Sequence, residues 1–97
     1  MTARDTESTL LARCSVVARG GASQSANDQR EANVFRVAAM VVRPRFPMES
    51  SCLMQASEKY FATHPTEQLA PADVVRKGWV FSLPRLRAML SHQLNRC

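Results

Sequence analysis

Three cysteines, two histidines and eleven arginines are the residues of this 97-residue chain best suited to chemistry. Cys52 is the strongest nucleophile candidate. The pattern predicts a helix over about 51–62, capped by Ser50 or Ser51. A thiol in the first turn of a helix has its thiolate favoured by the helix dipole. Such a thiol also needs a base, normally histidine. His64 lies twelve residues on, about 18 Å away at the helical rise per residue. It cannot serve on that helix, and only tertiary folding would bring His92 near. An oxyanion site and an orienting third residue both lack candidates. Cys52 therefore reads as a small apolar residue and the chain as a non-enzyme.

Cys14, Cys52 and Cys97 are odd in number and far apart, with no CxxC pair. That spacing fits neither a disulfide framework nor a metal site. With no Gly-rich phosphate loop either, no cofactor is expected.

Arginine is the more informative type. It outnumbers lysine eleven to two. Its planar fork binds phosphate bidentately and stacks on bases. The competing explanation is a GC-rich coding region, which raises Arg and Ala together, and 13 alanines are present. Charge is uneven along the chain. Residues 1–67 carry 8 basic and 7 acidic side chains, whereas residues 68–97 carry 5 and 1. The tail cations Arg76, Lys77, Arg85, Arg87 and Arg96 are the candidate nucleic-acid-binding residues. Arg43-Pro44-Arg45-Phe46-Pro47 is a stiff basic loop that could clamp a phosphate and stack a base. Its blander role is a surface connector with Phe46 tucked inward.

The elements that must carry these residues are helical. Few glycines and few aromatics point to an all-α fold. Four to five short helices are expected in a small, marginally stable bundle, with the N-terminal third partly disordered. Residues 1–26 read as a flexible segment holding one helix, in which Leu10, Cys14 and Val17 share a face with Leu11 and Ala18 beside them. Gly20-Gly21 ends it, and 20–26 reads as a linker. Residues 27–97 read as the helical domain.

Asn27 or Asp28 opens a second helix with Glu31 in its first turn. Ala32, Phe35, Ala38, Ala39 and Val42 form its inner face, with Gln29, Asn33, Arg36 and Arg43 opposite. The apolar run 34–42 also suits a buried strand. After the third helix, Pro71, Asp73 and Gly78 bound a short helix over 71–77. Ser82 caps another, running to 95. Leu83, Leu86, Leu90 and Leu94, with Met89, make one stripe that is either core or a partner-binding face. Trp79, Val80 and Phe81 should plug the angle of this basic helical hairpin, 71–95. A helix-turn-helix DNA reader is one use of that hairpin, with Arg85 and Arg87 at the front of its second helix. An ordinary helical hairpin is the other.

No stretch is long and apolar enough to span a membrane. Scattered reduced thiols fit an intracellular compartment, cytoplasm or nucleus. Arg4, Arg13, Arg19 and Arg30 among many Ser and Thr keep the mitochondrial matrix open, although Asp5 and Glu7 oppose it. Three functions follow as expectations. The first is a small regulator docking its basic tail on nucleic acid or on an acidic protein. The second is an adaptor or subunit using the leucine stripe. The third is a small organellar or unselected product without a stable fold.

Overall fold

The second helix, α2 (Gln29–Val42), is the element the others pack against. Asp28 starts it: its Oδ1 accepts the Glu31 N–H at 2.9 Å, and Glu31 accepts the Asn27 N–H at 3.1 Å. Two otherwise orphaned backbone donors are satisfied this way, which fixes the first turn. Eight of its residues are buried: Ala32, Asn33, Val34, Phe35, Val37, Ala38, Ala39 and Val42. They extend well beyond one apolar stripe, so the helix is covered on several sides. The 34–42 run is helix, and its alternative as a strand is excluded.

This computed structural model describes residues 3–20 and 25–95, with side chains from Thr9 onward. The chain is all-α. The other helices are α1 (Ala3–Ala18), α3 (Pro47–Thr63), α4 (Pro71–Arg76) and α5 (Leu83–Asn95), with a single 3-10 turn at Pro65–Glu67. The Cα radius of gyration is 12.1 Å. About 12.5 Å is expected for a folded domain of this length, so the helices close around one core.

Helix α1 contributes Leu10, Cys14, Val17 and Ala18 to that core and packs on α3 and α5. The helix of the leading segment 1–26 thus shares its core with residues 27–97. Arg13 meets Glu31 at 3.4 Å, tying α1 to α2. Gly20 ends the helix in the left-handed region, φ 83°, where a side chain is disfavoured. Most of the expected linker, 21–24, lies outside the described residues. Ala26 beyond it is buried, and its N–H bonds to the Ala56 carbonyl at 3.2 Å.

Helix α3 begins four residues before the expected start. Pro47 takes the first helical position, where its missing N–H costs nothing. Ser50 is therefore no cap. It is buried inside the helix and donates to the Ala39 carbonyl of α2 at 2.7 Å. Leu53, Ala56, Ser57 and Phe61 complete the buried face.

The polar face of α2 is the main departure from expectation. Gln29, Asn33 and Arg36, spaced one turn apart, are covered by the 67–69 segment rather than left to water. Gln29 Nε2 donates to the Glu67 carbonyl at 3.1 Å. Asn33 Nδ2 donates to the same carbonyl at 3.0 Å, and Asn33 Oδ1 accepts the Leu69 N–H at 2.8 Å. Gln68, with its amide oxygen toward Arg36, accepts from Nε and Nη2 at 3.1 and 3.2 Å. Asn33 is 1% exposed. Fully paired, a buried amide is tolerated and holds the loop to the helix.

Candidate nucleic-acid interface

Helix α4 ends in a motif that aims the next segment. Gly78 has φ 77°. The Gly78 N–H bonds to the Val75 carbonyl at 2.9 Å and the Trp79 N–H to the Val74 carbonyl at 3.3 Å. This pair is the Schellman closure that a left-handed glycine permits. It fixes the chain direction entering Trp79. Val80 is then buried, while Phe81 is 69% exposed. The expectation that all three residues plug an angle holds for Val80 and in part for Trp79, which packs half-buried on the core. Ser82 caps α5, its Oγ accepting the Arg85 N–H at 3.2 Å.

Within the expected hairpin, 71–95, helices α4 and α5 each pack chiefly on α2. The reason lies in their apolar sides. Val74 of α4 and Leu86, Leu90 and Leu94 of α5 are all buried in the shared core. Leu83 and Met89 are half-buried at its edge. The leucine stripe is used internally, so its buried members offer a partner nothing.

The candidate cations separate into two surfaces. Arg85 and Arg87 are two residues apart, roughly 200° around a helix, and flank the leucine stripe on opposite sides. On one side Arg85 lies over Phe81, 4.7 Å from the ring centre. Lys77 Nζ lies 5.5 Å from the Trp79 ring centre, and Arg30 reaches the same ring at 5.9 Å. Arg76 pairs with Asp73 at 3.0 Å and is partly neutralised. Arg96 lies outside the described residues.

On the other side Arg87 joins Arg45, from the turn between α2 and α3, at a cleft of about 390 Å³. Val41, Val42, Pro44, Ala88 and Ser91 complete its wall. Two arginines and a serine line it, and among the described residues no carboxylate does. Arg45 also lies 5.8 Å from the ring of Phe46, which packs half-buried against the core. The basic loop thus has its Phe inward and its Arg45 outward. Arg30 was not a sequence candidate; it reaches Trp79 from the first turn of α2, and nothing local marks it.

The nucleophile and metal candidates disperse. Cys14 is fully buried, and burial pushes its thiol up to about 12, with the Glu31 carboxylate adding and Arg13 opposing. Such a thiol is inert. Cys52 is half-buried. Because α3 starts at Pro47, Cys52 falls past the first turn and the dipole argument for its thiolate lapses. His64 stacks on Tyr60 with centroids 4.2 Å apart. The Tyr60 hydroxyl donates to Glu67 at 2.6 Å, and this bond, with lesser help from desolvation, raises the phenol to about 12. Among the described residues no three His, Cys, Asp or Glu gather where they could hold a metal. No described helix is long and apolar enough to cross a membrane.

No protein-family model, curated protein or solved structure matches this chain.

Proposed function

We propose that this chain binds nucleic acid through its phosphate backbone, using Arg45 and Arg87 as the grip. The observation that carries the reading is the cleft between the α2–α3 turn and α5, lined by two arginines and, among the described residues, by no carboxylate. Arg76, by contrast, is partly neutralised by Asp73. Guanidinium groups form paired, charge-assisted hydrogen bonds with phosphate oxygens. Two of them in one cleft, 42 residues apart in sequence, can hold the phosphates of one strand. Ser91 adds a neutral hydroxyl donor. A net charge of +5 over the chain adds attraction at a distance.

Binding of this kind is weak, because few phosphates are neutralised. It suits a regulator or accessory subunit whose contact is reversible. The test is fluorescence anisotropy with a labelled oligonucleotide and the variant Arg45→Ala plus Arg87→Ala. Both side chains are exposed, so folding should be unaffected. Most of the affinity should be lost, whereas Lys59→Ala, on exposed α3 surface, should keep it. Equal affinity for polyglutamate would reassign the cleft to an acidic protein.

A further inference from the structure

We propose that the connector Lys77–Ser82 is a stacking platform for unpaired bases, which makes single-stranded nucleic acid the preferred substrate class. This rests on the nucleic-acid reading above but uses different residues. Trp79, Phe81 and Arg85 sit at the outer edge of one small apolar gap of about 10 Å³ whose floor is the core residues Cys14, Val34 and Leu86. Val80 is drawn into the core, 4% exposed, which turns Phe81 outward and leaves Trp79 half-buried beside it. Phe81 is left 69% exposed, with the Arg85 guanidinium 4.7 Å from its ring centre.

Charge selects the occupant. Arg30, Lys77 and Arg85 surround the two rings at 5.9, 5.5 and 4.7 Å, and among the described residues no carboxylate lines the gap. An apolar protein partner would have to bury these cations against itself without compensation. A strand of unpaired nucleotides satisfies both features together: its bases stack on the rings and on the Arg85 plane, and its phosphates meet the cations. A duplex cannot, because its bases are already stacked on each other.

The single tryptophan makes the test direct. The full chain is titrated with a short oligothymidylate, with a duplex of mixed sequence and with inorganic polyphosphate, following Trp79 emission. Oligothymidylate should quench the emission and bind about tenfold more tightly than the duplex, the scale of one stacked base. Polyphosphate should bind without quenching. Phe81→Ala should weaken oligothymidylate about tenfold and leave polyphosphate binding unchanged, while Phe81→Tyr retains wild-type behaviour. If Phe81→Ala binds oligothymidylate as tightly as wild type, or the duplex binds better, the stacking platform is overturned. Binding that still depends on Arg45 and Arg87 would then leave the backbone grip intact. Failure of all three probes to bind would overturn both, as would quenching by an acidic peptide in place of the oligonucleotide.

Discussion

Asn33→Ala should cost about 3 kcal/mol of folding stability, a large share of the 5–15 kcal/mol typical of a small domain. The side chain is 1% exposed and makes three hydrogen bonds. One, to the Gln29 carbonyl at 2.9 Å, is local to α2. The other two cross to the 67–69 segment, at 3.0 Å to Glu67 and 2.8 Å from Leu69. Each crossing bond contributes about 1 kcal/mol net. The Glu67 carbonyl keeps Gln29 as a donor after truncation, but the half-buried Leu69 N–H loses its acceptor. An orphaned donor adds about 1–3 kcal/mol. The midpoint of thermal unfolding should fall by about 15 °C, from the usual sensitivity for this size.

Urea and thermal unfolding followed by far-ultraviolet circular dichroism give both quantities. Asn33→Asp provides a signed control. It keeps the acceptor for Leu69 but places a carboxylate against the Glu67 carbonyl. That environment favours the protonated acid, so its folded pKa should rise above the unfolded value of about 3.9. The deficit relative to wild type should be large at neutral pH and shrink as pH falls through the raised value. A loss under about 0.5 kcal/mol for Asn33→Ala, the scale of an ordinary surface change, would refute the reasoning that this amide holds the 67–69 segment.

The remaining predictions concern core, thiols and phenol. Leu90, 0% exposed, should cost about 2–5 kcal/mol as Leu90→Ala, read by urea unfolding, with no change in molecular mass by light scattering. An associated wild type that becomes monomeric without losing stability would restore the adaptor reading. Native-state alkylation read by peptide mass spectrometry should modify Cys52 well before Cys14, which should react only on unfolding. Labelling of Cys14 at the rate of Cys52 would contradict its burial. The single tyrosine should ionise near pH 12 rather than 10 in an absorbance titration. Because the folded pKa is raised, the associated stability is present below pH 10 and lost as pH rises towards 12. Glu67→Ala should return the phenol towards its ordinary value.

Local signals in the chain were legible. Leu10, Cys14 and Val17 follow helical spacing and are buried together. Asp28, Ser82 and Gly78 act as the caps their chemistry suits. What the sequence withheld was what each face meets. Gln29, Asn33 and Arg36 look like a solvated stripe, and only the return of residues 67–69 shows that they are a latch. Ser50 looks like a cap, but Pro47 starts the helix earlier and leaves the hydroxyl to bond α2. Arg45 and Arg87 share a cleft across 42 residues of chain, and no local spacing rule couples them. Arg85 and Arg87, adjacent in any motif, face apart because the leucine stripe between them goes inward.

The most direct measurement of the central claim is the salt dependence of oligonucleotide affinity in wild type and in Arg45→Ala plus Arg87→Ala. If the two guanidinium groups each neutralise one phosphate of a single strand, removing them lowers the slope of log affinity against log salt by about 1.4. An unchanged slope, with affinity reduced or not, would contradict the backbone grip.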